Sequence, residues 1–217
     1  MSESTGHGTG DHDASDHGTG DVVVRPAQPA EFPAVADLLV RAYTSSFHNS
    51  EHYIERLRGI ASWVPDYQIW VAVEGQRILG AVLTPSPGFV AAPEVGEDGL
   101  VQPVRDDELE FHMIGVDPEA RGRGIAALLV NKTIDVARER GIRRIGIHSG
   151  PQMTGAHAMY QKLGFVRRPE RETLVVDGGQ RLLAFTYDIP QSATNPAEQE
   201  NPMRRENPVE SEPHPQR

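Results

Sequence analysis

The residues best suited to chemistry are Arg121-Gly122-Arg123-Gly124-Ile125-Ala126, placed between an alternating apolar run and a long helical pattern. A helix start exposes unpaired N–H groups and the positive end of the helix dipole. Glycines let a ligand approach such groups closely, and the two arginines add charge-assisted donors. The stretch therefore predicts a cradle for a pyrophosphate. Two other phosphate motifs compete for it. Gly122-x-Gly124-x-x-Ala127 nominally matches a dinucleotide fingerprint, but Arg144 to Ser149 ends in His and Ser rather than the acid that would hold a ribose. A P-loop would need GxxxxGK[ST], which is absent from the sequence. A glycine-softened helix start of no function is the third alternative.

The elements that must position this stretch follow from the apolar spacing. Val22-Val23-Val24 reads as a short buried strand. Pro29 to Tyr43 has helical spacing through Phe32, Val35, Leu38, Leu39 and Ala42. Ser50 or Asn49 can cap a second helix to about Ala61. Gln68 to Val73 and Ile78 to Leu83 read as a hairpin about Glu74-Gly75-Gln76-Arg77, and Thr84 to Asp107 as a long loop. Leu109 to Val116 reads as one strand, with Leu109, Phe111 and Met113 on one face and Glu108, Glu110 and His112 on the other. A helix from about Arg123 to Arg140, stopped at Gly141, precedes a strand over Arg144 to His148, a helix over Thr154 to Leu163 and a last strand over Leu182 to Asp188. This order predicts an α/β domain over residues 21–190: a mixed, mostly antiparallel sheet with helices on both faces.

Composition narrows the function classes. The net charge of −10 argues against general nucleic-acid or membrane-surface binding. With no cysteine, thiolate metal sites and a cysteine nucleophile are excluded. Residues 1–20 hold Gly, His, Asp, Ser and Thr, with HGTGD at both His7–Asp11 and His17–Asp21. Residues 191–217 are polar and proline-rich. Neither segment offers enough apolar surface to offset its ordering entropy, so both read as disordered tails. His7, His12 and His17 could bind a divalent metal loosely, but a solvated tail is the preferred reading and no metal site is expected. The opening MSESTGHGTGD lacks the basic and apolar regions of a signal peptide, so a cytoplasmic location is expected.

One strand and one helix beyond the glycine stretch stands His157-Ala158-Met159-Tyr160-Gln161-Lys162-Leu163-Gly164-Phe165. Here the chain resembles the GNAT superfamily of acyl-CoA-dependent N-acyltransferases. Arg121, Gly124 and Ala126 meet its Arg/Gln-x-x-Gly-x-Gly/Ala motif. Tyr160, Lys162, Gly164 and Phe165 meet its Tyr-x-Lys-x-Gly-Phe motif. The lead-in Gly115-Val116-Asp117-Pro118-Glu119-Ala120 is also similar to the family's. The resemblance implies an N-acetyltransferase that uses acetyl-CoA as donor, with no metal, by direct attack of an amine in a ternary complex. It implies that the backbone of Ile114, Gly115 and Val116 pairs with the pantetheine arm where two strands splay apart, with Gly115 easing that distortion. The segment Arg121, Gly122, Arg123, Gly124, Ile125 and Ala126 would hold the pyrophosphate. Tyr160 would protonate the departing thiolate, a step open to a phenol of pKa about 10. Glu110, six residues before Val116, stands where the histone-acetyltransferase branch places its general base. Glu108 and His112 are the substitutes, and a water chain is a further alternative. Where the family often has Asn seven residues before the tyrosine, this chain has Met153; Gln152 and Thr154 are the candidates to replace that contact.

The acceptor expected is a small-molecule or peptide amine, with no nucleic-acid or membrane partner and a homodimer left open. Glu94, Glu97, Asp98, Asp106 and Asp107 of the long loop could attract a cation, and Tyr43, Phe47, His48, His52 and Tyr53 could line a pocket. A non-catalytic acyl-CoA-binding module with partner-recruiting tails is the reading from another class. It would need neither Tyr160 nor Glu110.

Overall fold

A computed structural model describes residues 22–47, 49–89, 95–101, 105, 107–176 and 179–190. The two tails expected from composition lie outside them, as do His48, Glu94 and Asp106. Strand β1 (Val22–Pro26) pairs antiparallel with β2 (Tyr67–Glu74), β2 with β3 (Arg77–Pro85), and β3 with β5 (His112–Val116). A second sheet has the order β4 (Glu108–Glu110), β6 (Arg144–Ser149), β10 (Leu183–Asp188), β7 (Val166–Arg167). Its β4–β6 pair is parallel and the others antiparallel. A small hairpin, β8 (Val175–Val176) with β9 (Gln180–Arg181), stands apart.

Two apolar layers hold the helices to these strands. Along β2, Trp70 and Ala72 belong to one core cluster, whereas Ile69, Val71 and Val73 belong to the other, as period-two alternation requires. The second layer is covered by α1 (Phe32–Thr44) and α2 (Glu51–Arg58). Ser50 caps α2 by accepting from the Tyr53 N–H at 3.1 Å. The first layer is covered by α3 (Ile125–Glu139) and α4 (Thr154–Lys162). The mixed sheet with helices on both faces is therefore present, and Gly141 ends α3 as the sequence predicts.

Three expectations are corrected. Val22 to Val24 is not a buried strand: β1 is an edge strand with Val23 56% exposed. Leu109 to Val116 is not one strand but two, broken at Phe111. The register against β3 jumps from Ala81↔Gly115 to Leu83↔His112, which leaves an extra residue in β5. Met113 takes a φ of 51°, uncommon for a residue with a side chain. Below this bulge Leu109 and Phe111 enter the α3–α4 core; above it Met113 enters the α1–α2 core. Gly115, expected to ease the distortion, lies two residues away from it. Its role is close packing, since a Cβ there would stand 2.7 Å from Leu39 Cδ2 and 3.2 Å from the Ala42 methyl of α1.

Candidate active site

The break at Phe111 creates the site. Strand β4 pairs with β6 through Glu110↔Gly146, and from Phe111 onward the chain turns to follow β3 instead. The two sheets part there, and a cleft of about 1270 Å³ opens between β5 and β6. It is lined by Glu110, Ile114, Gly115 and Val116 on one wall and by His148, Ser149 and Tyr160 on the other. At one end it reaches Arg121, Gly122, Gly124, Ile125 and Ala126. Tyr43, Phe47, His52, Tyr53 and Glu97 line it as well. Residues of both motifs and five of the ten expected acceptor residues thus line one cavity.

At the glycine-rich end of the cleft the backbone is what is presented. Gly122 and Gly124 have φ values of 77° and 76°, a conformation that other residues resist. Gly124 is the N-cap of α3 and brings no side-chain cap to it. No backbone hydrogen bond is donated by the N–H groups of Gly122, Arg123, Gly124, Ile125 or Ala126 to the described residues outside the helix. A helix start left uncapped in this way can take an anion's oxygens.

The two arginine side chains, expected beside the phosphates, are engaged by other elements of the fold. Arg121 lines the cleft but is held by the end of α1, donating to Ala42 O, Ser45 Oγ and Ser46 Oγ, each at 2.8 Å. A guanidinium at a helix C-terminus satisfies carbonyls and opposes the dipole, which is its role here. Arg123 is not among the cleft-lining residues; it pairs with Glu74 of β2 at 2.6 Å. Spacing placed both beside the loop, but tertiary partners on α1 and β2 decide where each side chain goes. Asp117, buried ahead of the loop, accepts from Arg41 at 3.0 Å and from the Glu119 N–H at 3.0 Å, so the lead-in turn is also tied to α1.

Tyr160 is 2% exposed and sits among aromatic rings, with Phe165 and Phe185 each 5.7 Å away and Phe111 at 6.2 Å. Burial, with Tyr43 adding to it, pushes its phenol pKa well above the ordinary value, so the resting group is protonated. Met153 lines the cleft with Gln152 and Thr154 beside it, at the place where the family often has Asn.

Glu110 differs from the expectation. Burial alone would raise its pKa, but the hydrogen bond and charge of His148, with His112 and Arg171 nearby, overcome this and hold it at about 2. His148 Nδ1 lies 2.6 Å from Glu110 Oε1. A carboxylate so held is a poor proton acceptor, so the role of sole general base does not suit it. Glu108, named as a substitute, is engaged by Arg171 in a buried ion pair. His112 faces the cleft with its ring edge-on to Tyr67 at 5.3 Å. His148 was not singled out from the sequence, because only the β4–β6 register brings it beside Glu110.

Among the described residues no three His, Cys, Asp or Glu side chains are grouped to hold a metal, and no helix is long and apolar enough to cross a membrane. The sequence pattern of the acetyltransferase (GNAT) family matches residues 32–165, more than half of the chain. The chain belongs to the GNAT family. It is 42% identical over 74 residues to the uncharacterized N-acetyltransferase MJ1207 of Methanocaldococcus jannaschii, covering 34% of this chain and 30% of that one. It is 28% identical over 158 residues to the mycothiol acetyltransferase of Rhodococcus erythropolis, covering 66% of this chain and 52% of that one. The chain therefore spans about a third to a half of the length of these relatives. Among solved structures, the PaiA N-acetyltransferase of Thermoplasma acidophilum, in complex with coenzyme A, matches with a TM-score of 0.55 and 14% identity, over 76% of this chain and 99% of that one. That likeness shows a shared fold.

Proposed function

We propose that this protein transfers an acetyl group from acetyl-CoA to a primary amine, by direct attack while both are bound in the cleft. The observation that carries this reading is the joining of the uncapped α3 start to Tyr160 by one cleft, along the edge of β5 beyond the point where the β4–β6 pairing has ended. The N–H groups of Gly122 to Ala126 receive the pyrophosphate. The unpaired side of Ile114, Gly115 and Val116 offers backbone groups to the amide-bearing pantetheine arm, in the manner of an added strand. The thioester then lies toward Tyr160. Arg121 and Arg123 contribute indirectly, by fixing the loop against α1 and β2.

Chemistry follows from that placement. The amine nitrogen attacks the thioester carbon, the C–S bond breaks, and the sulfur takes the phenol proton of Tyr160. The phenoxide recovers the proton lost by the new amide nitrogen. The sequence holds no cysteine, so transfer cannot pass through an acetyl-cysteine. The acceptor end, with Glu97 and the rings of Tyr43, Phe47 and Tyr53, suits a cationic amine on a partly apolar body. A cytoplasmic location accords with the use of acetyl-CoA.

Two measurements test the reading. Acetyl-CoA should raise the melting temperature well above any effect of NAD or ATP. Free thiol should then appear with at least one amine from a panel of spermidine, glucosamine, lysine ethyl ester and an alanyl tripeptide. Equal stabilisation by NAD, or silence across the panel beside tight acetyl-CoA binding, would overturn it, the latter in favour of a non-catalytic binding module.

A further inference from the structure

We infer that His148 is the general base that takes the amine's proton, and that Glu110 is the residue that positions it. The inference rests on the acetyl-transfer reading above and assigns a step which that reading leaves without an acceptor. An ammonium has no lone pair, so one proton must leave before nitrogen can attack.

The geometry is set by the parallel register. Glu110 stands opposite Gly146, and His148, two residues further along β6, projects on the same face. Gly146 has no side chain, and a Cβ there would run into the Glu108 carboxylate, so the space beside Gly146 is kept for the acids of β4. The imidazole reaches Glu110 through Nδ1 at 2.6 Å. An ionised carboxylate can only accept, so Nδ1 carries the hydrogen and donates it. In that neutral tautomer the basic lone pair belongs to Nε2. The arrangement is a carboxylate orienting an imidazole for proton transfer, the relation found in many hydrolytic triads. His148 lines the cleft, as does Tyr160, so base and acid share the chamber in which the thioester would lie.

Electrostatics supports the division of roles. Glu110 is held at about 2 and stays anionic throughout the working range, ready to stabilise an imidazolium. Of the two groups the carboxylate is the weaker proton acceptor, and the imidazole it orients keeps a basic lone pair for the proton. The groups around the pair are Glu108 on β4, His112 on β5 and Arg171 on the turn after β7; β10 places Ala184 opposite His148. Arg171 is occupied by Glu108, which limits its competition for Glu110. The step balances. Nε2 takes one proton from the ammonium, the amine attacks, the sulfur leaves with the proton of Tyr160, the phenoxide recovers a proton from the new amide nitrogen, and the imidazolium gives up the first proton to complete the cycle.

The test is the pH dependence of kcat, measured by thiol release at saturating acetyl-CoA and saturating amine from the panel above. In the wild type kcat should rise with pH through an imidazole ionisation. His148→Gln should lower kcat about a hundredfold or more and remove that rise. Glu110→Gln should lose less, and should move the rise to lower pH, because removing the carboxylate disfavours the imidazolium. Glu110→Asp should recover part of the loss. Calorimetric affinity for acetyl-CoA should stay at the wild-type value in all three, which shows that the fold and the donor site are intact. The inference is overturned if His148→Gln keeps the wild-type rate and profile, or if Glu110→Gln removes the rise while His148→Gln does not. A failure of the acetyl-transfer reading looks different: the wild type itself releases no thiol.

Discussion

The two ends of the cleft are built from different materials. At the end proposed to take the pyrophosphate, recognition would belong to the backbone: a left-handed Gly124 starts α3 with no side-chain cap. At the other end it belongs to side chains brought together across a sheet, with His148 of β6 against Glu110 of β4. The first is local in sequence and can be read from a spacing of six residues. The second depends on a parallel register between strands 36 positions apart, as Glu108↔Arg144 shows. A backbone site binds what all donors in a family share. A side-chain site can change with each acceptor without disturbing the loop.

If that division is right, damage at the two ends should separate binding from turnover. The largest effect is expected from Gly124→Val. A β-branched residue at φ 76° both strains the chain and covers the N–H groups, so calorimetry should show acetyl-CoA affinity lost. Retained affinity would place the pyrophosphate elsewhere. Tyr160→Phe should come next, with kcat falling about a hundredfold and acetyl-CoA affinity unchanged, since the ring still packs among Phe111, Phe165 and Phe185. A wild-type rate in that variant would remove the phenol from the mechanism.

Smaller effects concern stability. Glu110 has its folded-state pKa depressed to about 2, so its contribution is present above the ordinary carboxylate value and is lost as pH falls toward 2. Glu110→Gln should therefore be less stable than the wild type at pH 7, by about 2 kcal/mol in urea melts, and the gap should close in acid. A gap independent of pH would mean that the His148 pair is not what depresses Glu110. Smallest of all should be Arg123→Met. The Arg123–Glu74 pair is partly exposed, with side chains 30% and 40% accessible, so its loss should barely move the urea midpoint and leave acetyl-CoA affinity nearly unchanged. A large loss of affinity would return Arg123 to the phosphate site.

Much of this was legible in the residues. Helical spacing in α1, the Ser50 cap of α2 and the Gly141 stop of α3 are local signals, and the structure keeps each of them. The glycine-rich start of α3 and the place of Tyr160 on α4 were legible because each is a short motif held on one element. What escaped depends on distant contacts. The break at Phe111 cannot be seen in Leu109 to Val116, whose alternation continues across it, because the cause is a change of partner from β6 to β3. Arg121 was read beside its sequence neighbours, but the carbonyl it serves lies on α1 and the hydroxyls on the two serines that follow it. The short strand β7 and the hairpin β8–β9 left too few residues to show a period.

The central claim, direct transfer with both substrates in one cleft, is tested most directly by initial rates of thiol release. These are measured against acetyl-CoA at several fixed amine concentrations. The account predicts release that requires the amine and double-reciprocal lines that intersect. Parallel lines, or release indifferent to the amine, would contradict it.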